Sequence, residues 1–343
     1  MINGHGNNIY QYGVGAIEHD FSSNIAFNNL SQPILEHLGR SIDVIRNYPD
    51  PQARALTNMI ATHIGRASED ILVTNGSAEA FYLIAQYFAA KGECKAAIVT
   101  PSFAEYEDSC KAYNHQIDHI TFDELLNKGI DISIYDTLWI GLPNNPDGRK
   151  ISTSQIRDIA EQNPTCTIII DRAYNELSSD AESDWTLPRN TIIVDSFTKL
   201  YGIPGIRIGY IAADQAIINS LAEMRPPWSV NALSLVAGEY IMQNLDALQP
   251  NIDTLMCESK YLQQEIALLD GFNVTQSNCN FFLIEITKKG RDAAQLQQYL
   301  IEKHKILIRD CSNFRGLTSR HFRIAAQERA ACDKLIKALK EWL

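Results

Sequence analysis

The sequence predicts an α/β fold: a large domain with a mostly parallel central sheet flanked by helices, plus a small α/β C-terminal domain. Three observations carry this. Strand and helix patterns alternate from about residue 70 to residue 215. Within that stretch CTIIID (166–171) and TIIVDS (191–196) are continuous apolar runs, which signify strands buried on both faces of a parallel sheet. After Pro226 and Pro227 the pattern changes to two long helices and a second set of strands.

Taken in order, residues 1–30 carry NGHGNN and DFSSNI and read as an irregular N-terminal arm, expected to pack with the small domain. Positions 31–46 place Ile34, Leu35, Leu38, Ile42 and Ile45 at helical spacing until the two prolines of NYPDPQ stop the helix. A second amphipathic helix is predicted over 53–64, then a short strand, a turn at Gly76 and a strong helix over 78–91. Strands follow at 96–101, 115–121 and 137–143, with helices at 104–113 and 152–162, the latter opened by a Ser/Thr cap. Strands at 166–171, 191–196 and 206–213 complete the large sheet. Helices over 229–243 and 252–269 lead to strands at 281–286, 306–311 and 321–326, with helices at about 292–303 and 328–342. The implied division is an arm at 1–30, a large domain at 31–250 and a small one at 251–343.

Composition excludes several function classes. The 343 residues are 45% hydrophobic and 21% charged, which suits a well-buried globular protein of one large domain or two. A net charge of −11 argues against nucleic acid or an anionic membrane as partner, because either calls for a basic face. The seven cysteines are odd in number, scattered and without a CxxC, so they read as reduced thiols and not as disulfides or a metal site. The polar opening does not resemble a signal peptide, and no apolar run approaches the ~20 residues of a membrane span. The expectation is a soluble cytoplasmic protein.

Ligands of open α/β sheets bind at the carboxyl ends of the strands. The stretch DSFTKLYGIPGIRIGY (195–210) places Ser196, Thr198, Lys199 and Arg207 at such an end. Two hydroxyls and an arginine can ligate a phosphate. A lysine held among cations in a partly dry turn loses its proton more readily and becomes a nucleophile for carbonyls. Together they suggest pyridoxal phosphate, against the plainer reading of a solvated loop lysine. Other strand ends add complementary pieces. Gly76, Ser77 and Ala78 start a helix, whose N–H groups favour phosphate. Phe103 and Tyr106 offer flat faces for a ring, and Asn145 can hydrogen-bond a ring hydroxyl. Asp171, at the end of a buried strand, needs a partner that a protonated pyridine nitrogen would supply, with Tyr174 near the same ligand. Each has a bland alternative: a capped turn, a core aromatic, a structural ion pair.

With those residues in place, the chain resembles the fold type I pyridoxal-phosphate enzymes, specifically the class I/II aminotransferase family. The segments NYPDPQ, TNGSAEAF, PSFAEY, PNNPDG, DRAY, SFTKLYGIPGIRIGY and FRIA stand in the family's order over nearly the whole chain. The resemblance implies the PLP-dependent transferase fold and pyridoxal 5′-phosphate as cofactor. It implies that Lys199 forms the Schiff base and shuttles the proton, and that Asp171 pairs the ring nitrogen. It gives Asn145 and Tyr174 to the ring oxygen and Tyr106 to stacking on the ring. The amides of Ser77 and Ala78, with Ser196, Thr198 and Arg207, are implied as phosphate ligands. Tyr48 would reach the phosphate of a neighbouring subunit, making a homodimer, and Arg323 would grip the substrate carboxylate. The chain departs from the family at Arg172, where glutamate is usual, and at Asp147, where threonine is common.

Two branches of the family compete. Histidinol-phosphate aminotransferases share the YPDPQ-like and lysine segments. Threonine-phosphate decarboxylases, of cobalamin biosynthesis, are similar at NGHGNNIY (with Asn7 in place of a glycine), DFSSNI and IRDCSNFRGLTSRHFRIA. The second likeness is the stronger, implying a decarboxylase (a lyase) acting on a phosphorylated amino acid. Arg309 is the candidate for the substrate phosphate, with His5, Asn7 and Asn24 as N-terminal substrate contacts. The alternatives are a surface salt bridge for Arg309 and an irregular terminus for His5. A non-catalytic, cofactor-binding regulator and a nucleotide-dependent dehydrogenase are the other classes; the second lacks a GxGxxG after the first strand.

Overall fold

Two sheets organise the chain. The computed structural model describes residues 9–13, 15–27, 30–127, 130–184 and 186–343. A short N-terminal strand, β1 (His19–Asp20), precedes the main-sheet strands β2 (Ile71–Thr74), β3 (Lys95–Thr100), β4 (Gln116–Thr121), β5 (Thr137–Gly141), β6 (Thr167–Asp171), β7 (Thr191–Ser196) and β8 (Gly209–Ala212). Their spatial order is β2-β8-β7-β6-β5-β3-β4. Strands β3 to β7 are parallel, and β8 runs antiparallel to both its neighbours. A parallel return needs a crossover of a dozen or more residues, usually helical. Between β7 and β8 lies only the lysine turn with a 3₁₀ segment at Pro204–Ile206, so β8 folds back.

The apolar runs are buried on both sides, as a covered parallel sheet requires. In β7, Ile193 faces a core shared with helices Arg54–Ile64, Thr153–Gln162 and Ala232–Gln243. Ile192 and Val194 face the opposite core, shared with helices Gly76–Ala90, Ala104–Ala112 and Gln215–Met224. Ser152 caps Thr153–Gln162 through a reciprocal capping box with Gln155.

The second sheet is formed by β9 (Phe272–Val274), β10 (Phe281–Ile286), β12 (Arg309–Asp310) and β13 (His321–Ala325), in the antiparallel order β12-β13-β10-β9. Helices Ile252–Ala267, Ala293–His304 and Arg329–Trp342 supply Leu262, Leu296 and Leu335 to its core. The two-residue strand β11 (Ile306–Leu307) pairs in parallel with β1, and Phe21 is buried in that same core.

The elements differ from expectation at a few places. The helix predicted over 31–46 is α-helical only over Ser31–Arg40; Gly39 weakens its last turn, and Ile42–Arg46 continues as 3₁₀. The strand predicted over 206–213 starts at Gly209, because Arg207 takes a left-handed φ of 58°. The strand predicted over 306–311 divides, since Ile306–Leu307 pairs with β1 and Arg309–Asp310 with β13. Gln215–Met224 is an additional helix, with Asp214 as its cap. No helix among the described residues is long and apolar enough to cross a membrane.

Candidate active site

A cavity of about 730 Å³ opens at the carboxyl ends of β3, β6 and β7, between the main sheet and the C-terminal sheet. This is where an open α/β sheet binds ligands, close to the point where β3 and β5 diverge in connection.

At its floor β6 ends in the buried Asp171. Its Oδ2 accepts a 2.6 Å hydrogen bond from the Tyr106 phenol and its Oδ1 one of 3.0 Å from the Ala173 N–H. Burial pushes this carboxyl up, against those bonds and the charge of Lys199. Lys199 faces the cavity one turn beyond β7. Burial, then the nearby Arg323 and Arg207, bring its amine down to about 8, with Asp171 and Asp20 opposing.

Beside the lysine the backbone forms a cradle. The β2–β8 pairing sets Thr74 opposite Gly209, so the helix Gly76–Ala90 begins next to the lysine turn. Ser77 and Ala78 line the cavity at that helix start, where N–H groups have no partner within the helix. Gly76 has φ +74°, and a Cβ there would stand 2.6 Å from Nη2 of Arg207; a Cβ on Gly209 would stand 3.1 Å from the Ser77 nitrogen. Only glycine allows these approaches. The Ser196 and Thr198 hydroxyls lie 2.8 Å apart, and Arg207 donates to the Pro204 carbonyl at 3.1 Å. Two hydroxyls, a helix start and a guanidinium therefore meet.

The opposite wall comes from the C-terminal sheet and the N-terminal segment. Arg323 is buried; its Nη1 donates to Asn145 Oδ1, and its Nη2 donates to the Ser22 carbonyl at 2.6 Å. Arg309, also buried, donates to the Asp310 carbonyl and, from Nη2, to Asn313 Oδ1 at 2.8 Å. It is not the surface salt bridge that was the alternative. Burial lowers both guanidiniums, Arg309 to about 10. The two are directly opposite across β12 and β13, where like charges destabilise a sheet. Neither forms a salt bridge with a carboxylate among the described residues. Tyr174 also lines the cavity, its phenol pushed up to about 12 by burial in the main, and close to Asn24. Asn24 is buried in the wall, and neither its amide atoms nor Arg323 Nε makes a hydrogen bond of regular geometry among the described residues.

Two sequence expectations find a different geometry. Tyr106 does not line the cavity: it is buried behind it, its ring edge-on to Phe81 and its hydroxyl on Asp171. Phe103, which begins the same helical turn, faces the cavity instead. Tyr48 lies outside, 82% exposed, with its ring 4.8 Å from Trp228. His5 and Asn7 lie outside the described residues. Sequence reasoning missed Ser22, whose carbonyl holds Arg323, and the mouth residues Glu107, Asn313 and Arg315.

The donor set fits pyridoxal 5′-phosphate. An anion cradle, an amine of lowered pKa and a buried carboxylate stand at strand ends around one cavity, and two of its lining residues, Asn24 and Arg323, keep buried polar atoms without a regular hydrogen bond.

Comparison with known proteins gives the same direction. The sequence pattern of the aminotransferase class I and II family matches residues 21–339. The chain is 30% identical over 339 residues to the threonine-phosphate decarboxylase of Salmonella typhimurium, covering 94% of this chain and 91% of that one. The crystal structure of L-threonine-O-3-phosphate decarboxylase from Porphyromonas gingivalis superposes with a TM-score of 0.89 at 35% identity, over 94% of this chain and 98% of that one. The histidinol-phosphate aminotransferase from Clostridium acetobutylicum gives 0.83 at 26% identity, over 95% and 99%.

Proposed function

This chain belongs to the class I and II aminotransferase family, whose cofactor is pyridoxal 5′-phosphate, and we propose that it decarboxylates a phosphorylated amino acid of the O-phospho-L-threonine type. One observation carries the substrate class: Arg309 and Arg323 are buried, opposite one another, and without a carboxylate salt bridge among the described residues. Directly opposed residues of an antiparallel pair hold their Cβ atoms about 4.5–5.5 Å apart, a spacing that lets one small dianionic molecule engage both. An amino acid phosphate brings a carboxylate for Arg323 and a phosphate for Arg309 at once.

When bound, the cofactor supplies an electron sink for the charge left on the substrate Cα as a bond to it breaks. The chain's residues do the rest. Ser77, Ala78, Ser196, Thr198 and Arg207 hold the cofactor phosphate, and Asp171 keeps a proton on the ring nitrogen. Asn145 and Tyr174 orient the ring oxygen, while Phe103 offers the ring a face and Tyr106 fixes Asp171. Arg323 and Arg309 orient the substrate, with Asn24 beside them. Lys199, its amine lowered to about 8 so that it can lose and regain a proton near physiological pH, carries a proton to or from Cα.

The active unit in this reading is a cytoplasmic homodimer. Leu35, Ile42, Ile45, Tyr48 and Trp228 are large apolar residues exposed on the main-sheet side, an arrangement that suits a covered interface. Tyr48 would complete the neighbouring phosphate site. The chain divides into an arm at 1–30 and domains at 31–250 and 251–343, and a place in cobalamin side-chain synthesis follows from the substrate. The second reading is a histidinol-phosphate aminotransferase, favoured by the Clostridium acetobutylicum likeness. Histidinol phosphate has no carboxylate and would leave one of the two guanidiniums unpaired. Parallel turnover assays with O-phospho-L-threonine and with histidinol phosphate plus 2-oxoglutarate decide between them. A higher kcat/KM for the first supports the decarboxylase; the reverse order makes this an aminotransferase.

A further inference from the structure

The mouth of the cavity carries a carboxylate among its cations. Glu107, on helix Ala104–Ala112, meets Arg315 of the loop between β12 and β13 in a two-pronged ion pair, with Nε to Oε2 at 3.1 Å and Nη2 to Oε1 at 2.6 Å. Lys111 Nζ lies 2.5 Å from Oε1, and His119 Nε2 lies 3.8 Å from Oε2. Burial pushes the Glu107 carboxyl up, but the bonds from Arg315 and Lys111 outweigh it and bring it to about 2. The pair joins residues 208 positions apart, tying the C-terminal loop to the main-sheet side. Isolated exposed pairs contribute little. A forked arginine–carboxylate contact on a largely buried acid is the geometry in which orientation is also held.

The same loop positions Arg309. Asn313 Oδ1 accepts from its Nη2 at 2.8 Å, and the Phe314 ring lies 5.2 Å from its guanidinium. Immediately after Arg315 the chain turns at Gly316, with φ +84°. Backbone bonds such as Phe314 N–H to the Cys311 carbonyl are internal to the loop and do not tie it to the other sheet. Glu107 engages the Arg315 guanidinium on both of its oxygens, whereas Arg309 makes no carboxylate contact among the described residues and stays available to an arriving anion.

We propose that Glu107 and Arg315 form a clamp that positions Arg309 and thereby sets selectivity for phosphorylated over unphosphorylated amino acids. Both are positioning residues, and the proposal rests on the reading of Arg309 as the phosphate grip.

The test uses cofactor-loaded wild type, Glu107→Gln, Arg315→Lys, the double variant and Arg309→Gln. Each is titrated with O-phospho-L-threonine and with L-threonine, following cofactor absorbance. The two single variants are expected to weaken O-phospho-L-threonine binding about tenfold, leave L-threonine binding within about twofold, and combine without adding in the double variant. If Arg309→Gln loses affinity for the phosphorylated ligand and the clamp variants do not, the clamp is overturned while the phosphate reading stands. If Arg309→Gln also keeps wild-type affinity, both fall. Equal losses for the two ligands would show a general structural role and overturn the clamp as well.

Discussion

Tyr106 donates a 2.6 Å hydrogen bond to Oδ2 of Asp171, and both residues are buried, Asp171 at the floor of the cavity and Tyr106 behind it. With the Ala173 N–H on Oδ1, the carboxylate is held by both oxygens in the wall of the cavity that Lys199 also lines. Removing one donor to a buried charged group costs about 1.5–3 kcal/mol. Tyr106→Phe should therefore weaken cofactor binding roughly ten- to a hundredfold by absorbance titration, while the packing against Phe81 is kept. Wild-type affinity would show that Asp171 needs no second support.

The Lys199 amine titrates at about 8 instead of 10.5 because it is buried and near Arg323 and Arg207. The unfolded chain therefore binds more protons here than the folded one between those two values. This group's contribution to stability rises with pH across that window, and below it the penalty of a buried ammonium is present in full. The reactive free amine appears over the same titration. The rate at which cofactor-free protein combines with pyridoxal phosphate should rise through pH about 8 and then level. A rise delayed to the ordinary lysine range, in stopped-flow absorbance, would contradict the assignment.

Gly76 is the tightest point of the phosphate cradle. Its φ of +74° disfavours any side chain by about 1–2 kcal/mol, and a Cβ would stand 2.6 Å from the Arg207 guanidinium. Gly76→Ala should displace that guanidinium and weaken cofactor binding by roughly tenfold or more. The same change should lower Tm by only a few degrees, on the order expected for 1–2 kcal/mol in a chain of this size.

The exposed apolar set at Ile45, Tyr48 and Trp228 predicts a dependence on assembly. Ile45→Glu with Trp228→Glu should give a monomer in sedimentation, and that monomer should bind the cofactor at least about tenfold more weakly. A monomer with full affinity would remove Tyr48 from the site.

Much of the fold was legible because the chain obeys two strong rules. Buried parallel strands read as continuous apolar runs, and the residues just past their ends form the site, which is how Asp171, Ser196 and Lys199 could be placed together from sequence. Long-range geometry was not legible. The pairing of His19–Asp20 with Ile306–Leu307 involves two residues on each side and leaves no periodic signal. The antiparallel sense of β8 depends on the lysine turn being too short for a crossover helix. Phe103 and Tyr106 are both aromatic and lie three residues apart, and only the rotation of the helix decides which one faces the ligand. The Glu107–Arg315 pair joins two surface-type residues whose sequence neighbours give no hint of each other.

The measurement that bears most directly on the central claim is CO₂ release from O-phospho-L-threonine by cofactor-loaded protein with no keto acid present. Sustained release over many turnovers is expected, lost in Lys199→Ala together with the visible Schiff-base absorbance. Absence of release, with conversion of the bound cofactor to its amine form by histidinol phosphate, would contradict it and make this chain an aminotransferase.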